Sequence, residues 1–136
     1  MRSHYGGGAV AVAILAVGLL LLSGCHRSPE KSPLVYIMLT YNGGVCEQNG
    51  SSGIVDVSPN QAVVYQGAAP LSEFQVRFAT CPFASCPVDS PYGTSENVGR
   101  PNPGTAGGTF QYSGLTMNNQ PCQNAGVMGV RITSGP

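Results

Sequence analysis

The sequence predicts an all-β domain, a single sandwich of two sheets, preceded by a segment that does not belong to it. Three observations carry this expectation. No stretch beyond residue 33 sustains the 3.6-residue apolar period of a helix. Apolar runs of four to eight residues recur between turns rich in Gly, Pro and Asn. Several of these runs alternate apolar with polar residues, as a strand with one face on a core does. Six or seven strands are expected, connected with a Greek-key crossover whose strand order the sequence leaves open.

Taken in order, residues 26–33, "HRSPEKSP", read as a polar tether with two prolines. Residues 34–41, "LVYIMLTY", are apolar at both parities, the pattern of a strand buried on both faces, and "NGG" ends them. Residues 54–57 form a short strand closed by the turn Ser58-Pro59-Asn60, and residues 62–65 resume it. Phe74, Val76 and Phe78 alternate with Gln75 and Arg77, which places the aromatic and valine side chains inward. Phe110-Gln111-Tyr112 repeats the pattern, and Met128, Val130 and Ile132 form the inner face of a last strand with Arg131 outside. Residues 87–108 break the rhythm. They contain "PYGTSENVGRPNPGTAGG", read as a polar surface loop, with a weak strand at residues 96–98 as the alternative.

The front of the chain has a different character. Arg2 is followed by an uninterrupted apolar run over residues 9–22, fourteen residues with Gly18 inside it. A membrane-crossing helix needs about 20 apolar residues, so the run has the length of a secretory h-region instead. It ends in Leu22-Ser23-Gly24-Cys25. This tetrapeptide resembles the lipobox of bacterial lipoproteins: Leu, a small residue, Gly or Ala, then Cys. The resemblance implies cleavage between Gly24 and Cys25 and lipid on the Cys25 thiol, including palmitate-type acyl chains. It also implies a partner, the membrane itself, and a division into a signal peptide at 1–24, a lipidated Cys and tether at 25–33, and a sandwich domain at 34–136. In enteric-type lipoproteins an Asp after the Cys favours the inner membrane; His26 stands there, which points to the outer membrane.

Loss of residues 1–24 leaves 112 residues, one domain with one core. Five Lys or Arg face six Asp or Glu, a formal charge of −1. Arg27, Lys31, Arg77, Arg100 and Arg131 are scattered, so no basic patch points to nucleic acid. With Cys25 used by lipid, Cys46, Cys81, Cys86 and Cys122 remain, and an even number in an exported domain reads as two disulfides with three connectivities. A local Cys81–Cys86 bridge with a long Cys46–Cys122 bridge is the preferred pattern, and a crossed pairing is the alternative.

Catalytic chemistry finds little support. A Ser or Cys nucleophile wants a nearby base, usually His, and His26 on the tether is the only His beyond the leader. Glu47, Asp56, Glu73, Asp89 and Glu96 are single acids in separate segments, not the paired carboxylates of a glycosidase. "CPFASC" spaces its cysteines as CxxxxC rather than the CxxC of zinc or thioredoxin-type sites. "SPNQ", "GLTMNNQPCQN" and "GRPNPGTAGG" suit hydrogen bonding to glycans or protein backbone, and equally suit turns, which is the preferred reading.

Residues 108–132, "GTFQYSGLTMNNQPCQNAGVMGVRI", resemble the end of a cupredoxin, where one loop carries a Cys, a His and a Met into the closing strand. Here Cys122 and Met128 have that relation, but no His lies between them. A blue-copper site needs two His nitrogens and a thiolate, so the resemblance implies the sandwich fold and no metal. Met128 is expected in the core and Met117 in an exposed loop. The expected role is structural or binding, in the cell envelope with a protein or glycan partner, without enzymatic activity or cofactor. The alternative is a thiol-redox or copper-handling protein built on Cys81, Cys86, Cys122 and Met128.

Overall fold

The computed structural model describes residues 32–68, 73–91 and 95–135. The leader at 1–24, the cut between Gly24 and Cys25, and most of the tether lie outside the described residues. The described chain forms β1 (Leu34–Asn42), β2 (Val45–Gln48), β3 (Ile54–Val57), β4 (Ala62–Gly67), β5 (Phe74–Phe78), β6 (Val88–Ser90), β7 (Glu96–Gly99), β8 (Thr109–Met117), β9 (Gln120–Pro121) and β10 (Gly129–Ile132). A single 3-10 turn, Ala125–Val127, precedes β10. The first sheet has the order β2-β1-β4-β7 and the second β3-β10-β8-β5-β6, with β9 folded back on β8. The two sheets pack as a sandwich.

Local chemistry explains the hairpins. Gly43 and Gly44 both have positive φ and join β1 to β2 in two residues. Asn118 and Asn119, at φ 49° and 60°, do the same between β8 and β9. Asn tolerates this region at little cost, and the two-residue turn with positive φ at both positions matches the twist of the strands it joins. Long-range order comes from five crossings between the sheets. They leave β1 parallel to β4 and β3 parallel to β10, pairings that no hairpin makes. After the passage through β6 and β7, the chain returns to lay β8 beside β5, the crossover expected of a Greek-key sandwich.

Alternation places the core. Ile37, Leu39, Val63 and Tyr65 point inward from the first sheet, and Val57, Val76, Tyr112, Leu115, Val130 and Ile132 from the second. Two disulfides tie the layers and loops. Cys46 in β2 bonds Cys122 after β9, closing 76 residues, and Cys81 bonds Cys86 across a five-residue step.

Several expectations need correction. There are ten strands among the described residues, not six or seven. β2, β6, β7 and β9 are short and carry few apolar side chains, so their backbone pairing leaves almost no hydrophobic signal. Residues 87–108 accordingly contain two strands, including the one at residues 96–98. Residues 62–65 do not resume the strand at residues 54–57: β3 and β4 lie in different sheets. β1 is not buried on both faces, since Leu34 and Tyr36 are half exposed. Met117 is only 1% exposed, because it sits inward in β8 opposite Phe74. Phe78 packs on the core but is half-buried, because the pairing with β8 slips at Arg77/Phe78 and skips Ser113.

Candidate functional site

The polar centre of the sandwich is a buried chain of side chains. The Tyr112 hydroxyl donates to Gln48 Oε1 at 2.6 Å. It accepts in turn from the Tyr65 hydroxyl, 3.0 Å away. Gln48 Nε2 then donates to the carbonyls of Gly53 at 2.6 Å and Gly129 at 2.7 Å. Every member is satisfied, which is the condition under which a buried network stabilises a unique arrangement instead of loosening it. Burial raises the pKa of both tyrosines well above the ordinary range. These groups are therefore neutral, sealed and structural. Sequence reasoning did not single out Gln48; the available signal was a Tyr at an inward strand position, whose hydroxyl needs a partner.

An accessible polar surface lies on the outer face of the second sheet. Gln75 and Arg77 of β5 point outward, as expected, between Asp89 of β6 and Thr116 and Gly114 of β8. Three shallow clefts abut there. One of about 240 Å³ is lined by Glu73, Gln75, Asp89, Thr116 and Asn119. The next, about 300 Å³, shares Gln75 and Thr116 with it and adds Arg77, Ser113 and Gly114. The third, about 430 Å³, shares Arg77 and Ser113 and ends on Phe78, Cys86 and Pro87. The shared residues make one groove, polar at one end and apolar at the other. Gly114 keeps its floor low: a Cβ there would only touch Arg77, at 4.0 Å. Arg77 Nε donates to Gln75 Oε1 at 2.9 Å, which holds the guanidinium along the groove.

Cys25, Gly24 and His26 lie outside the described residues. The local and long cysteine pairings are both present as disulfides, and the crossed alternative is not. Glu73 and Asp89, read as unrelated acids, line one cleft because β5 and β6 are paired. Asp56 and Arg131 form a bidentate exposed ion pair across β3 and β10, at 2.7 Å for each bond. Hydrogen bonding from Arg131 lowers the Asp56 pKa from its usual 3.8.

The Asn-rich turns serve the backbone. Asn49 holds Met38 N–H and the Tyr36 carbonyl, Asn118 holds Glu73 N–H, and Asn124 holds both backbone groups of Cys46. Of the four sulfurs proposed for copper or thiol chemistry, Cys122 is committed to Cys46 and Met128 is fully buried, so neither offers a donor to an ion arriving from solvent. Among the described residues no group of three or more His, Cys, Asp or Glu is placed to hold a metal. Cys86 alone is exposed, at the apolar end of the groove, while its partner Cys81 accepts a 3.3 Å bond from Phe83 N–H. No family model, curated protein or solved structure matches this chain.

Proposed function

We propose that this chain is a lipid-anchored envelope protein that binds a polar partner, a glycan or an extended peptide, and performs no catalysis. The observation that carries the reading is the oxidation of all four cysteines that remain after Cys25. Disulfides persist in oxidising compartments, and that is where a leader ending in Leu22-Ser23-Gly24-Cys25 would deliver the domain. The groove over β6, β5 and β8 supplies the binding surface. At its polar end the side chains are hydrogen-bonding groups without a nearby imidazole, suited to holding a ligand and not to transforming it.

The anchor is tested by Cys25→Ser. Labelling with radioactive palmitate should mark the native chain and leave the variant unlabelled and uncut; equal labelling would refute the lipid site. The groove is tested by Gly114→Val, which fills its floor without touching the core, together with Arg77→Ala. Both should lose retention on isolated cell-wall glycan while keeping the native melting temperature. Retention equal to that of the unaltered chain would place the binding surface elsewhere.

A second reading, thiol exchange at Cys81–Cys86, is favoured by the exposure of Cys86 beside the groove. A dithiol at a concentration that leaves Cys46–Cys122 intact would open that bridge selectively if the reading holds.

A further inference from the structure

The outer face of the first sheet is divided in two along β1. In β1 the even-numbered side chains point outward, and the register with β4 and β2 shows which neighbours share that face. The half that begins at the tether carries Leu34, Tyr36 and Met38, beside Ala62 and Val64. Leu34 is 50% and Tyr36 53% exposed. Val64 is only 7% exposed and stands apart from the core cluster; its neighbours in register are Tyr36 of β1 and Asn97 of β7. The far half carries Thr40, Asn42, Gln66 and Glu47, with Val45 as its one exposed apolar side chain, opposite Asn42. An apolar half next to a polar half, on one continuous sheet face, is an oriented surface.

We infer that the apolar half of this face docks on the bilayer that holds the anchor. The inference rests on the lipid-anchor reading above and names the surface through which the domain meets its membrane.

The length of chain outside the described residues argues for that occupant. Nine residue steps separate Cys25 from Leu34, which span at most about 30 Å when fully extended. A domain of this size is about 30–35 Å across. The domain is therefore held within its own diameter of the headgroups, and the strand it presents first is the one with the apolar side chains. Tyr36 is the residue type that settles at a membrane–water boundary, with a ring for the acyl region and a hydroxyl for the headgroups. Arg100 stands where the tether enters the domain. Its Nε donates to Ser32 Oγ at 2.7 Å, so a guanidinium, a group that pairs well with phosphate, stands at the tether's entry.

A second copy adding a strand at this end of β1 is disfavoured by Asn49. Its side chain already takes Met38 N–H and the Tyr36 carbonyl, beyond the end of the β2 ladder. The β1 edge is closed there, and the side-chain face is what remains to be covered.

The chain contains no Trp, so a single substitution reports one position. Tyr36→Trp and, as the control, Val127→Trp at the 60% exposed 3-10 turn are each prepared in the full, processed chain. Val127 belongs to the far end, where Asn124 holds Cys46 opposite Tyr41. Each protein is placed in vesicles of phosphatidylethanolamine and phosphatidylglycerol, some of them brominated on the acyl chains. Docking predicts blue-shifted emission at position 36 and several-fold stronger bromine quenching there than at position 127. Equal quenching at the two positions, with the acyl mass on Cys25 confirmed in the same sample, overturns docking and leaves the anchor standing. A blue shift that disappears on diluting the protein within the bilayer overturns it in favour of a second copy. A sample without acyl mass refutes the anchor, and docking with it, by a separate readout.

Discussion

Tyr112 occupies the middle of the buried chain Tyr65–Tyr112–Gln48, and its substitution probes the logic of the core. Tyr112→Phe keeps the ring, which packs edge-on to Phe78 at 5.0 Å and tilted to Tyr65 at 6.5 Å. It removes only the hydroxyl. Two buried groups are then stranded: Gln48 Oε1 loses its donor, and the Tyr65 hydroxyl loses its acceptor. Each unsatisfied buried group costs about 1–3 kcal/mol, so the expected loss is about 2–6 kcal/mol. Tyr65→Phe removes the end of the chain and leaves the Tyr112–Gln48 bond intact, so it should cost about 0.5–1.5 kcal/mol. Urea unfolding followed by far-ultraviolet dichroism reads both values, with an unchanged denaturant slope showing that the folded state is the same. Equal losses, or a larger loss for Tyr65→Phe, would refute the assigned direction of the network.

The same tyrosines make a prediction in alkali. Both are neutral when folded and held above their ordinary pKa of 10.0 by burial. Their contribution is fully present below that value. It is lost as the pH rises past it, because the unfolded chain releases two protons that the folded one keeps. The slope is about 2.7 kcal/mol per pH unit, and Tyr112→Phe should halve it. At the acid end, Asp56 is held below its usual pKa by Arg131, so its contribution is present above pH 3.8 and fades as the pH falls further; Asp56→Asn should remove that acid dependence. Opening Cys46–Cys122 by a double Cys→Ala change should cost about 4 kcal/mol, against about 2 kcal/mol for Cys81–Cys86, since the loops closed differ so much in length. Phe74→Ala, at a fully buried site, should lose about 3–5 kcal/mol and exceed Phe78→Ala, whose ring is partly in solvent. Gly129→Ala should destabilise by about 1–3 kcal/mol, because a Cβ there would lie 2.3 Å from the Phe110 carbonyl oxygen.

What was legible in the sequence follows a physical division. Strands with one apolar face announce themselves: Phe74 and Val76, Phe110 and Tyr112, and Val130 and Ile132 all stand as their alternation says. The cysteine pairing was also readable, since a five-residue loop leaves one long partner for Cys46. Strands stabilised by backbone pairing alone were not. β6 and β7 bury just Val88, Ser90 and Val98 among seven residues, and polar alternation with so few anchors looks like loop. Parallel pairs were invisible for another reason, because no local feature of residues 34–39 names residues 62–67 as their neighbour. The groove was half legible. Gln75 and Arg77 were read as outward, but the apposition of Asp89, Thr116 and Gly114 depends on strand order. β1 misled because a run apolar at both parities is read as doubly buried, whereas its outer half faces away from the core.

The central claim is a disulfide-locked sandwich tethered by lipid at Cys25. It is tested most directly by the intact mass of the chain extracted from membranes, with thiols alkylated before and after reduction. The account predicts a mass that begins at Cys25 and includes acyl groups, with no thiol modified until reductant is added and four modified afterwards. A mass retaining residues 1–24, or lacking acyl groups, would contradict the anchor. Alkylation of a cysteine pair in the native protein would contradict the lock.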